Sequence, residues 1–229
     1  MKFEDIELSS YGAMVMDDYN MGTANVSSGF ILDSSSTYPV GYGIHIGERE
    51  FTIPIAFTAD TTLQVIRNKS SFMTALCSGT IEIYDDEYNV YYSAVFTGVD
   101  NEQILMDGVY TAEFNFSGIM HGALISFTQS GSFIPEGYAE DGEDCRISVT
   151  ARTLESDGTY KLAGITFDKD SVVSGTTITI DGFSKIVYIN GAPGMAYCDL
   201  ISFPKLYPGK SNHIECKDSV KIEYYPVYK

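Results

Sequence analysis

Glu50–Gly79 reads EFTIPIAFTADTTLQVIRNKSSFMTALCSG, and its hydrophobic period changes halfway along. Phe51, Ile53, Ile55 and Phe57 alternate with small or polar neighbours, the period of two that turns one face of a strand toward a core. From Asp60 to Cys77 the apolar residues fall instead at Leu63, Ile66, Met73, Leu76 and Cys77, a helical spacing with a polar gap at Ser70. Thr61-Thr62-Leu63-Gln64 predicts a capping box, the Thr61 hydroxyl accepting from the Gln64 amide while the Gln64 side chain reaches back. Gly79 stands just past the end, where a left-handed residue closes a helix. A strand followed by one amphipathic helix of about 16 residues, packed against a sheet, is the expectation.

Outward from there, alternation recurs and helical spacing does not. Ile81-x-Ile83, Tyr110-x-Ala112-x-Phe114-x-Phe116, Ile147-x-Val149, Thr176-x-Ile178-x-Ile180, Val187-x-Ile189 and Val220-x-Ile222-x-Tyr224 all repeat with a period of two. Gly, Asp, Asn or Pro bounds each one, as in antiparallel strands. Asp85-Asp86-Glu87, between Ile83 and Val90, reads as a hairpin turn. With 17 Tyr, 13 Phe and 21 Gly, the composition is that of a mainly β protein. Residues 1–43 differ. Met14, Met16 and Met21 among Gly12, Gly22, Gly29, Gly41 and Gly43 read as irregular chain, ordered only by neighbours.

The 229 residues are long enough for one large or two modest domains. A boundary is expected within residues 119–145, where SGSFIPEGYAEDGEDC has the composition of a linker or exposed loop. Charge divides there too: residues 1–130 hold 4 basic and 17 acidic side chains, net −13, and residues 131–229 hold 10 and 14, net −4. Domains 1–130 and 131–229 follow. A net charge of −17 disfavours a nucleic-acid clamp or an anionic membrane surface, because both need Lys and Arg to neutralise phosphates. No run of 18 apolar residues is present, and MKFEDIELSS has no apolar h-region, so neither a membrane span nor classical secretion is expected.

Candidate chemistry is sparse. Cys77, Cys145, Cys198 and Cys216 are scattered without a CxxC, which predicts reduced thiols and neither a disulfide framework nor a zinc ribbon. The sequons at Asn25, Asn68 and Asn115 mean little without a secretory route. His45, His121 and His213 lie far apart and outside any ligand motif; His45 would face away from Ile44 and Ile46 on a strand. There is no GxSxG, P-loop or GxGxxG, so a hydrolase would need a site assembled from distant residues. Asp141, Glu143 and Asp144, and Asp168 with Asp170, are the only candidate calcium ligands, and neither group has EF-hand spacing. No catalytic, cofactor or metal residue is assigned. A carbohydrate-binding sandwich is the rival reading, since Tyr is abundant, but Trp, the strongest stacking residue, is absent.

Two stretches carry a resemblance. Ile178-Thr-Ile-Asp-Gly-Phe183, Val187-Tyr-Ile-Asn-Gly191, Phe203-Pro-Lys-Leu-Tyr-Pro-Gly209, Asn212-His-Ile214 and Val220-Lys-Ile-Glu-Tyr224 resemble the closing strands of distal tail proteins (Dit) of long-tailed bacteriophages and prophages. That family has a similar FP-x-L-x-PG-x-N-x-I stretch before a last V-x-I-x-Y strand; here Asn212 arrives one residue late, after Lys210 and Ser211. Arg49–Phe116, with its strand, helix and further strands, follows the order of the family's N-terminal domain.

The resemblance implies an N-terminal β-domain with one helix that assembles into a ring, typically a hexamer, and a galectin-like C-terminal antiparallel sandwich. It implies a structural hub at the virion tail tip, assembled in the bacterial host cytoplasm, with no enzymatic activity and no cofactor. The partners it implies are further copies of the chain, the major tail protein, the tail-associated lysin and receptor-binding proteins. DNA would pass through the channel without specific binding. The net −13 of residues 1–130 suggests either acids lining that channel or, equally, acids that solvate an outer face. With no room for arm or sugar-binding insertions, the chain resembles a minimal member.

Overall fold

The computed structural model describes residues 1–17, 19–31, 40–139 and 141–228, with the backbone alone for 26–31 and 40–46. The chain folds as two compact units, Met1–His121 and Gly122–Tyr228. Residues 122–130 hold a strand of the second unit's sheet, so the division expected at 130/131 is corrected to His121/Gly122.

In the first unit the strands are β1 (Lys2–Phe3), β2 (Ala13–Val15), β3 (Ala24–Ile31), β4 (Val40–Thr58), β5 (Ile81–Asp85), β6 (Val90–Met106) and β7 (Val109–His121). They form an antiparallel sheet in the order β1-β5-β6-β7-β4-β2, with β3 also on β4. β4 includes the expected Phe51–Phe57 strand and continues back to Val40. Much of the stretch read as irregular is therefore paired strand, because β3 and the first part of β4 zip together in spite of their glycines.

Register explains the core. Phe51, Ile53, Ile55 and Phe57 lie opposite Phe116, Phe114, Ala112 and Tyr110, and all eight side chains are buried. Helix α1 (Thr62–Leu76) covers this face. Thr61 caps it as expected, accepting from the Gln64 amide at 3.3 Å, but the box is half made, since the Gln64 side chain donates to Asn68 instead. Gly79 has φ +145°, outside the left-handed helical conformation expected of it.

The buried stripe of α1 also differs from the expected one. Val65, Phe72 and Leu76 are buried, whereas Leu63, Ile66 and Cys77 are exposed. Lys69 lies on the buried stripe, its ammonium reaching out to Glu102 at 2.5 Å and to the Tyr110 hydroxyl at 2.9 Å. Phe72 is the centre of the packing, with ring centroids of Phe3, Tyr11, Phe57 and Phe114 between 5.3 and 5.9 Å away. Gly118 is required for a different reason: a Cβ there would stand 2.4 Å from the Ser93 carbonyl oxygen.

In the second unit the strands are β8 (Ile125–Thr128), β9 (Glu143–Thr150), β10 (Tyr160–Leu162), β11 (Ile165–Phe167), β12 (Thr177–Asp181), β13 (Ile186–Ile189), β14 (Ala192–Pro193), β15 (Lys205–Leu206), β16 (Val220–Tyr224) and β17 (Val227–Tyr228). An antiparallel sheet runs β14-β13-β12-β9-β16-β8, and β15 pairs with the start of β9. Its inner face, Cys145, Ile147, Val149, Ile178, Ile180, Val187, Val220, Ile222 and Tyr224, packs in one core with the β10–β11 hairpin and with Val172, Leu206 and Ile214. The SGSFIPEGYAEDGEDC stretch is a connection inside this unit, tied by a bridge between Phe133 and Asn212. The fold is mainly antiparallel β with one α-helix among the described residues.

Candidate assembly surfaces

One cluster of reactive side chains stands out among the described residues. β5, β6 and β7 bring Glu82, Ser93 and His121 together, with Ser93 Oγ 2.9 Å and Glu82 Oε2 3.2 Å from His121 Nε2. A Ser-His-acid relay places serine and acid on different ring nitrogens. Here both meet Nε2, and the Ser93 hydroxyl donates to Glu82 Oε1. Burial raises the Glu82 pKa, but hydrogen bonds to His121 and Ser93 and the attraction of His121 outweigh it and hold the carboxyl below its ordinary value. The result is a part-buried polar tie between strands. His213 is exposed, and the side chain of His45 lies outside the described residues.

The four cysteines are free. Burial pushes the Cys145 thiol up to about 12, leaving it protonated and a poor nucleophile at neutral pH. The candidate calcium ligands diverge. Glu143 is buried with Oε1 accepting from the Val227 amide at 2.9 Å, while Asp144 pairs with Lys185 at 2.6 Å. Asp168 and Asp170 are exposed, and among the described residues no cluster of three or more His, Cys, Asp or Glu forms a metal cage. No helix of the described residues is long and apolar enough to cross a membrane.

The distinctive surface is the sheet face of the first unit that α1 does not cover. Over β4, β7 and β6 it carries a polar lattice. Thr52 donates to Asn115 at 2.8 Å, Asn115 to Asp100 at 2.7 Å, Asn101 to Glu113 at 2.7 Å and Ser117 to Glu48 at 2.8 Å. Glu50 lies opposite Ser117 on the same face. Among the described residues no Lys or Arg interrupts this part of the face. Arg49 alternates to the other side and donates to the Met21 and Gly22 carbonyls, and Arg67 and Lys69 sit on α1. The face is therefore acidic and hydrogen-bonded, without the cations that would hold a phosphate backbone.

The β6–β7 hairpin tip is clamped to the start of α1. Asp107 Oδ1 accepts from the Thr62 amide at 3.0 Å and from the Thr62 hydroxyl at 2.6 Å, and the Ala59 amide donates to the Gly108 carbonyl at 2.9 Å. These Thr62 bonds lower the Asp107 pKa. The clamp displays Ile104, Leu105 and Met106, each more than half exposed, on the tip, and Leu63 and Ile66 on the helix. An unbroken exposed apolar run is unusual for a solvent-facing hairpin. The sequence reading missed this cluster, though the run Ile104-Leu105-Met106 before the Asp107-Gly108 turn was a visible signal.

No protein-family model and no curated protein matches the sequence. The fold has clear counterparts: it is that of a Dit-like hub protein of a phage tail. The crystal structure of SPP1 Dit (gp 19.1), described as a paradigm of the hub adsorption apparatus in phages that infect Gram-positive bacteria, superposes with a TM-score of 0.73 at 13% identity, covering 99% of this chain and 98% of that one. The phage P2 baseplate in its activated conformation gives a TM-score of 0.59 at 9% identity with Ca and 0.56 at 10% with Sr, each covering 96% of this chain and 92% of the other.

Proposed function

We propose that this chain is the structural hub of a phage tail tip. It forms a ring that joins the tail tube to the tail-associated lysin and receptor-binding proteins, and it performs no catalysis. The observation that carries the reading is the likeness to SPP1 Dit over nearly the whole of both chains, which leaves no large insertion for another activity. The second unit takes the place of the galectin-like outer domain, and the virion tail tip, assembled in the bacterial cytoplasm, is its location. The acidic lattice of β4, β7 and β6 suits the wall of the channel, since a surface of carboxylates and hydroxyls repels DNA and lets it slide.

Virions of the phage or prophage that encodes this chain supply the test. A gold-labelled antibody against it should mark the tail tip in electron micrographs. Label spread along the tube, or absent from particles, would overturn the assignment.

A further inference from the structure

Glu143, at the start of β9, is a carboxyl shut inside the second unit. It is 3% exposed, Oε1 accepts from the Val227 amide, and Oε2 has no hydrogen-bond partner among the described residues. A carboxylate buried in this way is costly unless a cation answers it. Among the described residues the surrounding elements bring none. On β15 Leu206 lies opposite, and Lys205 turns its ammonium to the Gly142 carbonyl; the next residue of β9, Asp144, takes Lys185. β16 contributes the phenol of Tyr224 and β17 that of Tyr228, while the loop before β9 contributes Glu136, Tyr138 and the exposed Asp141. Burial raises the Tyr228 phenol, and the negative charges of Glu136 and Glu143 raise it further, so two like charges act on one ring. Burial likewise raises the Glu143 pKa to about 7, and the bond from Val227 offsets only part of the rise.

What closes the site is backbone. Residues 136–138 cross over the carboxyl with Gly137 at their centre: a Cβ there would overlap Oε1 and stand 3.2 Å from Oε2. Two bonds hold this segment down. The Glu136 amide donates to the Tyr224 hydroxyl at 3.0 Å, and the Tyr138 amide donates to the Val227 carbonyl at 2.9 Å. Val227 is therefore shared, its amide on Glu143 and its carbonyl on the segment above.

We propose that residues 136–138 are a proton-operated lid over Glu143, closed while the carboxyl is protonated and lifted when it ionises. A charge at this position gains water only if one of its covers moves. The other covers are strands of the unit's sheet, whereas the lid is held by two backbone bonds and carries no side chain at Gly137. Lifting it breaks both bonds and carries along Tyr138, whose ring is 69% exposed and 6.4 Å from that of Tyr228. The device does not depend on the hub reading.

The test is hydrogen–deuterium exchange of the full chain, followed residue by residue by NMR and corrected for the intrinsic effect of pH. β12 (Thr177–Asp181), in the same sheet, is the internal control. Opening at the Glu136, Tyr138 and Val227 amides should rise about tenfold between pH 6 and 8, the linkage expected when a carboxyl is ordinary with the lid open and raised with it closed. In Glu143→Gln the same amides should show no rise, and β12 should keep its protection in both proteins. Opening that stays flat in the unaltered chain would overturn the lid. So would a rise that persists in Glu143→Gln, or one that β12 shares, since the whole unit would then be loosening. Should Glu143→Gln fail to fold, the contrast between lid and β12 in the unaltered chain decides.

Discussion

Asn212 turns its carboxamide back onto Tyr207, accepting from the Tyr207 amide at 2.9 Å and donating to the Tyr207 carbonyl at 2.8 Å. The same Nδ2 reaches the Lys210 carbonyl at 2.8 Å, and the Asn212 backbone bridges to Phe133. The side chain thus closes the turn through Gly209, which sits at φ +71°, while the backbone ties the turn to the long loop before β9. Asn212→Ala leaves a donor and two acceptors without these partners. A loss of about 2–4 kcal/mol is expected for the second unit, read as a lower urea midpoint. Asn212→Asp should lose most of that too, because a carboxylate accepts from Tyr207 but cannot donate to the carbonyls.

Glu143 gives a pH dependence with a definite sign. Its carboxyl is buried with Oε2 unpartnered, and burial raises its pKa to about 7 although the bond from Val227 lowers it. A folded pKa above the unfolded one means that the native state binds the proton more tightly. The contribution is complete at low pH and falls away as pH rises from the ordinary carboxyl value to about 7. Glu143→Gln removes the ionisation and keeps an acceptor for Val227. The variant should melt several degrees above the parent at pH 8 and close to it at pH 5, a difference on the order of 2–3 kcal/mol at the higher pH. A constant offset at both values would refute the burial argument.

Phe72 should dominate the first unit's stability. It touches rings from β1, β4 and β7, and Phe72→Ala is expected to cost about 3–5 kcal/mol. Leu63→Ser on the exposed side of the same helix should change stability by about 0.5 kcal/mol or less. Parallel chemical denaturation of the two variants separates packing from helix propensity.

The acidic face makes a prediction about DNA. The unaltered protein should not retard duplex DNA in a low-salt gel shift. Glu48→Lys, Glu50→Lys and Glu113→Lys together should create salt-sensitive binding without unfolding the sheet, since Glu48 and Glu50 are exposed and Glu113 is half-exposed. Retardation by the unaltered protein would contradict a repulsive channel wall.

Much of this fold could be read before any coordinates, and the failures have physical causes. Phe51–Phe57 was legible because β7 opposes it residue for residue, so every second side chain is buried. The helix was legible from Thr61, but its stripe was not, because Lys69 occupies a buried position through its stem while its ammonium finds Glu102. The ribbon of β3 and β4 looked irregular because Gly and Ser hide alternation, and what pairs it is backbone rather than side-chain pattern. Glu82, Ser93 and His121 could not be grouped from sequence, since only the registers of β5, β6 and β7 bring them together.

The most direct test of the hub reading is the mass of the purified protein by light scattering, with negative-stain images of any large species. A ring of about six copies is the expected result. A strict monomer at every concentration, also when the tail-tube protein is present as a template, would contradict it.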